Sequence, residues 1–331
     1  MYPSIVRTTI GGFGTLILEN AMVRTVLIPG FGARIVSLIY KPTETEFAWH
    51  DPRVPIKKAT YEIEYENVNG LFDCLPSTES CMFKGKKLPA GGEVLYEPWD
   101  VVSINRGTRS ISVHMRCTCK IYPLSIRKRL SISRNEASLR LDYKLRNLSN
   151  ERLEYHYSGH NTLCINPGNR ILLPHEVSKL KVGFSADDRL GKMGDEIPWP
   201  ETVDRHNKTV DLSKVGDPCA RTAENLYTSR LRDSWCALIN EDRMEAIGFS
   251  FTAERLPHQM LWANYGGWRD YYHIALEPLS GRPDNLEVAV NNWKDFLTID
   301  GKEEVSWAQR IFVAHDVRHV ERIDADEGII Q

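Results

Sequence analysis

The chain has 331 residues, of which 42% are hydrophobic and 26% charged, with 42 lysines and arginines against 44 aspartates and glutamates. This is an ordinary globular composition, with enough length to bury one large core or two modest ones without disulfide or metal staples. Neither charge sign gathers into a run and no apolar stretch approaches a spanning helix in length, so nucleic acid and membrane are not expected partners and a small molecule is.

At the N-terminus, MYPSIVRTTIGG lacks the basic start and apolar run of a signal peptide. The seven cysteines, Cys74, Cys81, Cys117, Cys119, Cys164, Cys219 and Cys236, are odd in number and scattered, which suits thiols in a reducing compartment. A cytoplasmic protein is the expectation. GGFG at Gly11–Gly14 and PGFG at Pro29–Gly32 have neither a Lys-Ser/Thr ending nor a helical continuation, so they read as turns and not as phosphate cradles.

Further along, Ile111, Val113, Met115 and Cys117, then Leu139, Leu141, Tyr143 and Leu145, alternate with polar residues, the period of half-buried strands. The same pattern runs through 245–253 and 305–314, with turn residues between these runs. Helical periodicity is short and weak, its best case being 220–231, so a parallel βαβ architecture is not expected. The polar stretch around 185–217 reads as a loop excursion that could border a binding site, and no linker divides the chain. A single all-β domain over 1–331, a large antiparallel β-sandwich, is the expected fold class.

Two segments place titratable groups among turn and aromatic residues: YHYSGHNTLCINPGNRILLP from Tyr155 and LWANYGGWRDYYHIALEPLSGRPDNL from Leu261. In an extended chain His156, Ser158 and His160 share a face, while Glu277 interrupts an apolar strand, where a carboxylate needs a reason. Geometry argues against a zinc site on His156 and His160, since four residues of strand separate them by roughly 13 Å. Cys117 and Cys119 lack the two-residue spacer and second pair of a structural zinc site, and no GxSxG elbow occurs. No metal and no cofactor are expected. What remains is a histidine and a glutamate beside aromatic residues, the equipment for acid-base opening of a sugar ring.

GHNTLCINPGNRILLP and IALEPLSGRPDNL resemble two segments of the aldose 1-epimerases, in the galactose mutarotase-like superfamily. The resemblance implies the large antiparallel sandwich of that superfamily, with His160 protonating the ring oxygen and Glu277 acting on the anomeric hydroxyl. Weaker similarity covers FGARIVSL, GLFDCLPSTES, LPAGGEVLYEPWDV and SWAQRIFV, in the family's order. The sequence departs from the family where a second substrate-holding histidine is expected, since Gly91 stands there, and the usual arginine is not evident. Asp73, Trp262, Asn264 and Arg282 are the expected substrate-binding residues, with Arg269 as an alternative to Arg282.

The expected function is therefore a mutarotase acting on a carbohydrate, with the two catalytic groups on opposite sides of a sugar-sized cleft. The alternatives are a carbohydrate-binding or sensing protein, motivated by Gly91, and a glycan lyase or hydrolase, for which Glu277 has no evident second carboxylate. Sequence leaves the sugar, its phosphorylation and the oligomeric state open.

Overall fold

The computed structural model describes residues 1–57 and 67–331. Two large sheets dominate it, of twelve and eight strands. The larger runs, edge to edge, through Ser4–Ile10, Phe13–Glu19, Val23–Ile28, Arg34–Tyr40, Leu71–Cys74, Ser158–Leu163, Tyr272–Leu279, His258–Tyr265, Thr222–Thr228, Lys179–Ser185 and Glu196–Pro198, with Thr45–Glu46 beside Arg34–Tyr40. The smaller runs through Asn169–Leu172, Trp235–Asn240, Glu245–Phe251, Glu304–His315, Ser138–Asn147, Leu124–Ser133, Ser110–Thr118 and Asp100–Arg106. Strand neighbours in both sheets pair antiparallel.

Alternation explains how the sheets meet. Ile111, Val113, Met115 and Cys117 are buried and join the same core as Leu139, Leu141, Tyr143 and Leu145, while Arg116 and Thr118 face solvent. Leu226, Leu261, Leu276 and Leu71 bring the larger sheet's inner face to that core. Each such side chain contributes about 1.5–3 kcal/mol on burial, which makes the inter-sheet layer the main source of stability.

In two segments the structure differs from the sequence expectation. The 220–231 stretch is a strand, Thr222–Thr228, buried on both faces, so it lacks the polar alternation that would have marked it. The 185–217 excursion contains a small hairpin, Glu201–Val203 with Thr209–Asp211. It closes over a cavity of about 330 Å³ shared with Leu226, Leu261, Ala263 and Tyr265, on the inner face of the larger sheet, away from the cleft described below.

Burial on both faces is greatest at the centre of the larger sheet. Ser158–Leu163 lies between Leu71–Cys74 and Tyr272–Leu279, and all six of its residues are buried. The outer face at this point is roofed by the loops after Cys74 and Leu279, where the Thr78 and Glu79 amides donate to the Asp284 carbonyl at 2.9 and 3.1 Å.

Candidate active site

The register of the central strands assembles the site. Asn161 pairs with Leu276 and Ser158 with Leu279, which sets His160 opposite Glu277 on the outer face. Phe72 pairs with His160 from the other side, and Met260 pairs with Glu277. Directly opposed residues on one face of an antiparallel pair have Cβ atoms about 5 Å apart, so the imidazole and the carboxylate must meet.

They do so at 3.3 Å, His160 Nε2 to Glu277 Oε1. The two groups therefore stand side by side and do not face each other across the cleft, which corrects the sequence expectation; the register is the cause. Ser158 Oγ donates to Glu277 Oε2 at 2.7 Å, and Thr162 Oγ1 lies 3.0 Å from His160 Nδ1, which leaves Nε2 as the nitrogen turned to the carboxylate. Phe72 stacks on the imidazole with centroids 4.5 Å apart and fixes the ring plane. The Arg34 guanidinium lies 4.2 Å from the Phe72 centroid and donates to the carbonyls of Asn67 and Asn69.

Burial governs the charge of the pair. Glu277 is fully buried and its pKa is raised well above the carboxylate range by desolvation, with Ser158 opposing and the charge of Asp284 adding to the rise. His160 is pushed well below its usual value, first by desolvation and then by the charges of His273 and Arg34. Both shifts favour uncharged forms, so burial drives the empty pair toward a single shared proton held on the carboxyl group.

Beside this pair opens a cleft of about 550 Å³, lined also by Thr78, Glu79, Ala90, Asn225, Met260, Trp262, Trp268, Arg269 and Asp284. That volume suits a small organic ligand. Trp262 and Trp268 meet edge to face with centroids 6.0 Å apart, giving the apolar wall. The polar wall is Asp284, which accepts from the Tyr227 hydroxyl at 2.7 Å and from Asn225 Nδ2 at 3.4 Å. Burial and then the charge of Glu79 raise Asp284 to about 7. Gly91 has φ 78°, a conformation that disfavours any side chain, and its amide donates to the Thr78 carbonyl at 2.5 Å.

Of the residues singled out from sequence, His160, Glu277 and Trp262 line the cleft, as does Arg269. The other three do not. Asp73 points into the inter-sheet layer, where it accepts from Lys128 Nζ at 2.9 Å and from the Tyr157 hydroxyl at 2.6 Å. It occupies the strand position next to Phe72 and so projects to the opposite face. Arg282 is bound to Asp295 at 2.7 Å and to the Thr228 carbonyl at 2.8 Å, with His258 on the same aspartate at 3.1 Å. Asn264 is fully buried and bonds the backbone of Trp268 twice, Nδ2 to the carbonyl at 3.0 Å and Oδ1 from the amide at 3.1 Å, so it shapes the Trp268 loop from behind.

Sequence reasoning missed Asn225 and Asp284. Asp284 stands in GRPDNL, and its one signal in the sequence is its distance of seven residues from Glu277. It also supplies the second carboxylate that a hydrolase reading had lacked.

No family model matches the sequence, and no curated protein matches it. Solved structures do. The chain superposes on the Slr1438 protein from Synechocystis sp. PCC 6803 with a TM-score of 0.69 at 17% identity, covering 94% of this chain and 99% of that one. A galactose mutarotase-like protein from Clostridium acetobutylicum gives 0.64 at 11% identity, over 95% and 99%. The galactose mutarotase related enzyme from Lactobacillus acidophilus gives 0.62 at 14% identity, over 96% and 100%. The fold is thus that of the galactose mutarotase-like sandwich, and among the described residues no helix is long and apolar enough to cross a membrane.

Proposed function

We propose that the protein is a carbohydrate mutarotase that interconverts sugar anomers by acid-base ring opening in the cleft beside His160 and Glu277. The observation that carries this reading is the 3.3 Å contact of an imidazole and a carboxyl group in a buried, sugar-sized cleft. Mutarotation takes a proton from the anomeric hydroxyl and gives one to the ring oxygen, and both oxygens are bonded to the same carbon. Two adjacent groups holding one proton between them therefore match its stoichiometry. In the bound state, Glu277 as carboxylate accepts the hydroxyl proton while His160 as imidazolium serves the ring oxygen, and reclosure on the other face reverses both transfers. Binding of a hydroxyl donor in place of the His160 contact stabilises the carboxylate and moves the shared proton to the imidazole. Trp262 supplies an apolar face for the sugar ring.

The test is saturation-transfer NMR or polarimetry of anomer exchange across a panel of aldoses. Wild type is expected to accelerate exchange, and Glu277→Gln and His160→Gln each to lose about 10²–10⁴-fold while unfolding at wild-type temperatures. Sugar binding without acceleration would overturn the enzyme reading in favour of a sensing protein, as Gly91 in place of a histidine suggests. A second reading, glycoside hydrolysis, is favoured by Asp284 in the same cleft with a pKa raised to about 7, suited to a general acid. Release of nitrophenol from aryl glycosides, lost in Asp284→Asn, would replace the mutarotase assignment by this one.

A further inference from the structure

We infer that the cleft takes an uncharged aldose and rejects sugars bearing phosphate or carboxylate. The inference deepens the proposed function and rests on its reading of the cleft as a sugar site. Three of the titratable side chains that line it are carboxylic acids, Glu79, Glu277 and Asp284. Among the described residues the cleft is lined by one cation, Arg269, which is exposed and whose guanidinium sits 5.0 Å from the Trp268 centroid. Arg34, the other cation near His160, is buried behind the Phe72 ring and committed to the Asn67 and Asn69 carbonyls. Among the described residues the floor and far wall therefore present carboxyl groups and no lysine or arginine to a bound anion.

Unsatisfied hydrogen-bonding capacity points the same way. Glu277 Oε1 has only the 3.3 Å contact with His160 Nε2, and Asn225 Oδ1 and Thr78 Oγ1 are buried without a hydrogen-bond partner, on residues only 0%, 7% and 6% exposed. The first is an acceptor when the carboxyl group is ionised and the second is an acceptor always, because the Asn225 amide nitrogen is turned to Asp284 and its oxygen is left for the cleft. Buried acceptors gain when a ligand brings donors, and sugar hydroxyls are donors. An ionised phosphate or carboxylate brings acceptors and negative charge, so it would set acceptor against acceptor at Asn225 and, as pH rises through about 7, anion against the Asp284 carboxylate.

Calorimetry and saturation-transfer NMR at pH 7.5 and low salt would compare glucose and galactose with their 6-phosphates and with the corresponding uronates. Each neutral sugar that binds is expected to do so at least about tenfold more tightly than its charged forms. In the Glu79→Gln, Asp284→Asn double variant that ratio is expected to narrow by at least threefold. A 6-phosphate bound as tightly as its parent sugar, with the affinity lost in Arg269→Ala, would overturn the inference, as would a ratio unmoved in the double variant. Selective binding of neutral sugar without anomer exchange would uphold the inference while removing the mutarotase reading. Absence of binding by every sugar in the panel would remove both.

Discussion

Asp284 is 5% exposed, holds two side-chain hydrogen bonds and has its pKa raised to about 7 by burial and by Glu79. A carboxyl group whose pKa is higher in the folded than in the unfolded chain stabilises the fold below the unfolded value, near 4, and this contribution is lost as pH rises through the folded value. Asp284→Asn removes the titration but keeps an oxygen to accept from Tyr227. The variant is therefore expected to melt above wild type at pH 8, with the gain shrinking as pH falls through 7 and gone by about pH 4. Calorimetric melts at four pH values would check this, and a difference in melting temperature that does not vary with pH would show that Asp284 is not the titrating group. Glu277 stood out in the sequence as a carboxylate in an apolar strand, and His160 through the extended-chain face it shares with His156 and Ser158 and through the family resemblance. Asp73 and Arg282 were misplaced for the complementary reason: their partners, Lys128 and Asp295, lie 55 and 13 residues away along the chain, and only the fold brings them together.

At the scale of elements, the Asp73–Lys128 pair ties strand Leu71–Cys74 of the larger sheet to strand Leu124–Ser133 of the smaller. Both side chains are only 2% exposed, and the Tyr157 hydroxyl that bonds Asp73 also accepts from Gln309 Nε2 at 2.9 Å. Removing one partner leaves an uncompensated charge between the sheets, which costs about 3–5 kcal/mol. Asp73→Leu and Lys128→Met singly are expected to fall in that range in urea denaturation, and the double variant to cost far less than their sum. Additive costs would show that the two charges do not depend on one another. The same layer explains which strands were legible. Ser110–Thr118 and Ser138–Asn147 have one wet face and alternate, whereas Thr222–Thr228 and Trp235–Asn240 are almost wholly buried and offer no period to read. The cleft lies over strands of the second kind, so its far wall at Asn225 was invisible from sequence.

For the whole molecule, the connection of greatest consequence is made last. Glu304–His315 pairs with Ser138–Asn147 on one side and Glu245–Phe251 on the other, so the final long strand lies inside the smaller sheet and joins its two halves. Without it the sheet would fall into a four-stranded and a three-stranded piece with two new open edges, and Trp307, Ile311 and Val313 would leave the inter-sheet core. The hairpin after it, Arg322–Asp324 with Gly328–Ile330, instead packs at the periphery, where Ile323 joins Trp235, Ala246 and Phe312 in a smaller apolar cluster. Its burial is worth roughly 1.5–3 kcal/mol for Ile323. A chain ending at residue 320 is therefore expected to keep a cooperative but lowered melt and to bind sugar as the full chain does, because the cleft is built on the other sheet. A chain ending at residue 303 is expected to lack a cooperative melt and to be recovered as aggregate. Cooperative unfolding of that shorter chain would mean that the larger sheet folds without its partner, and the cleft would then owe its geometry to the central strands alone.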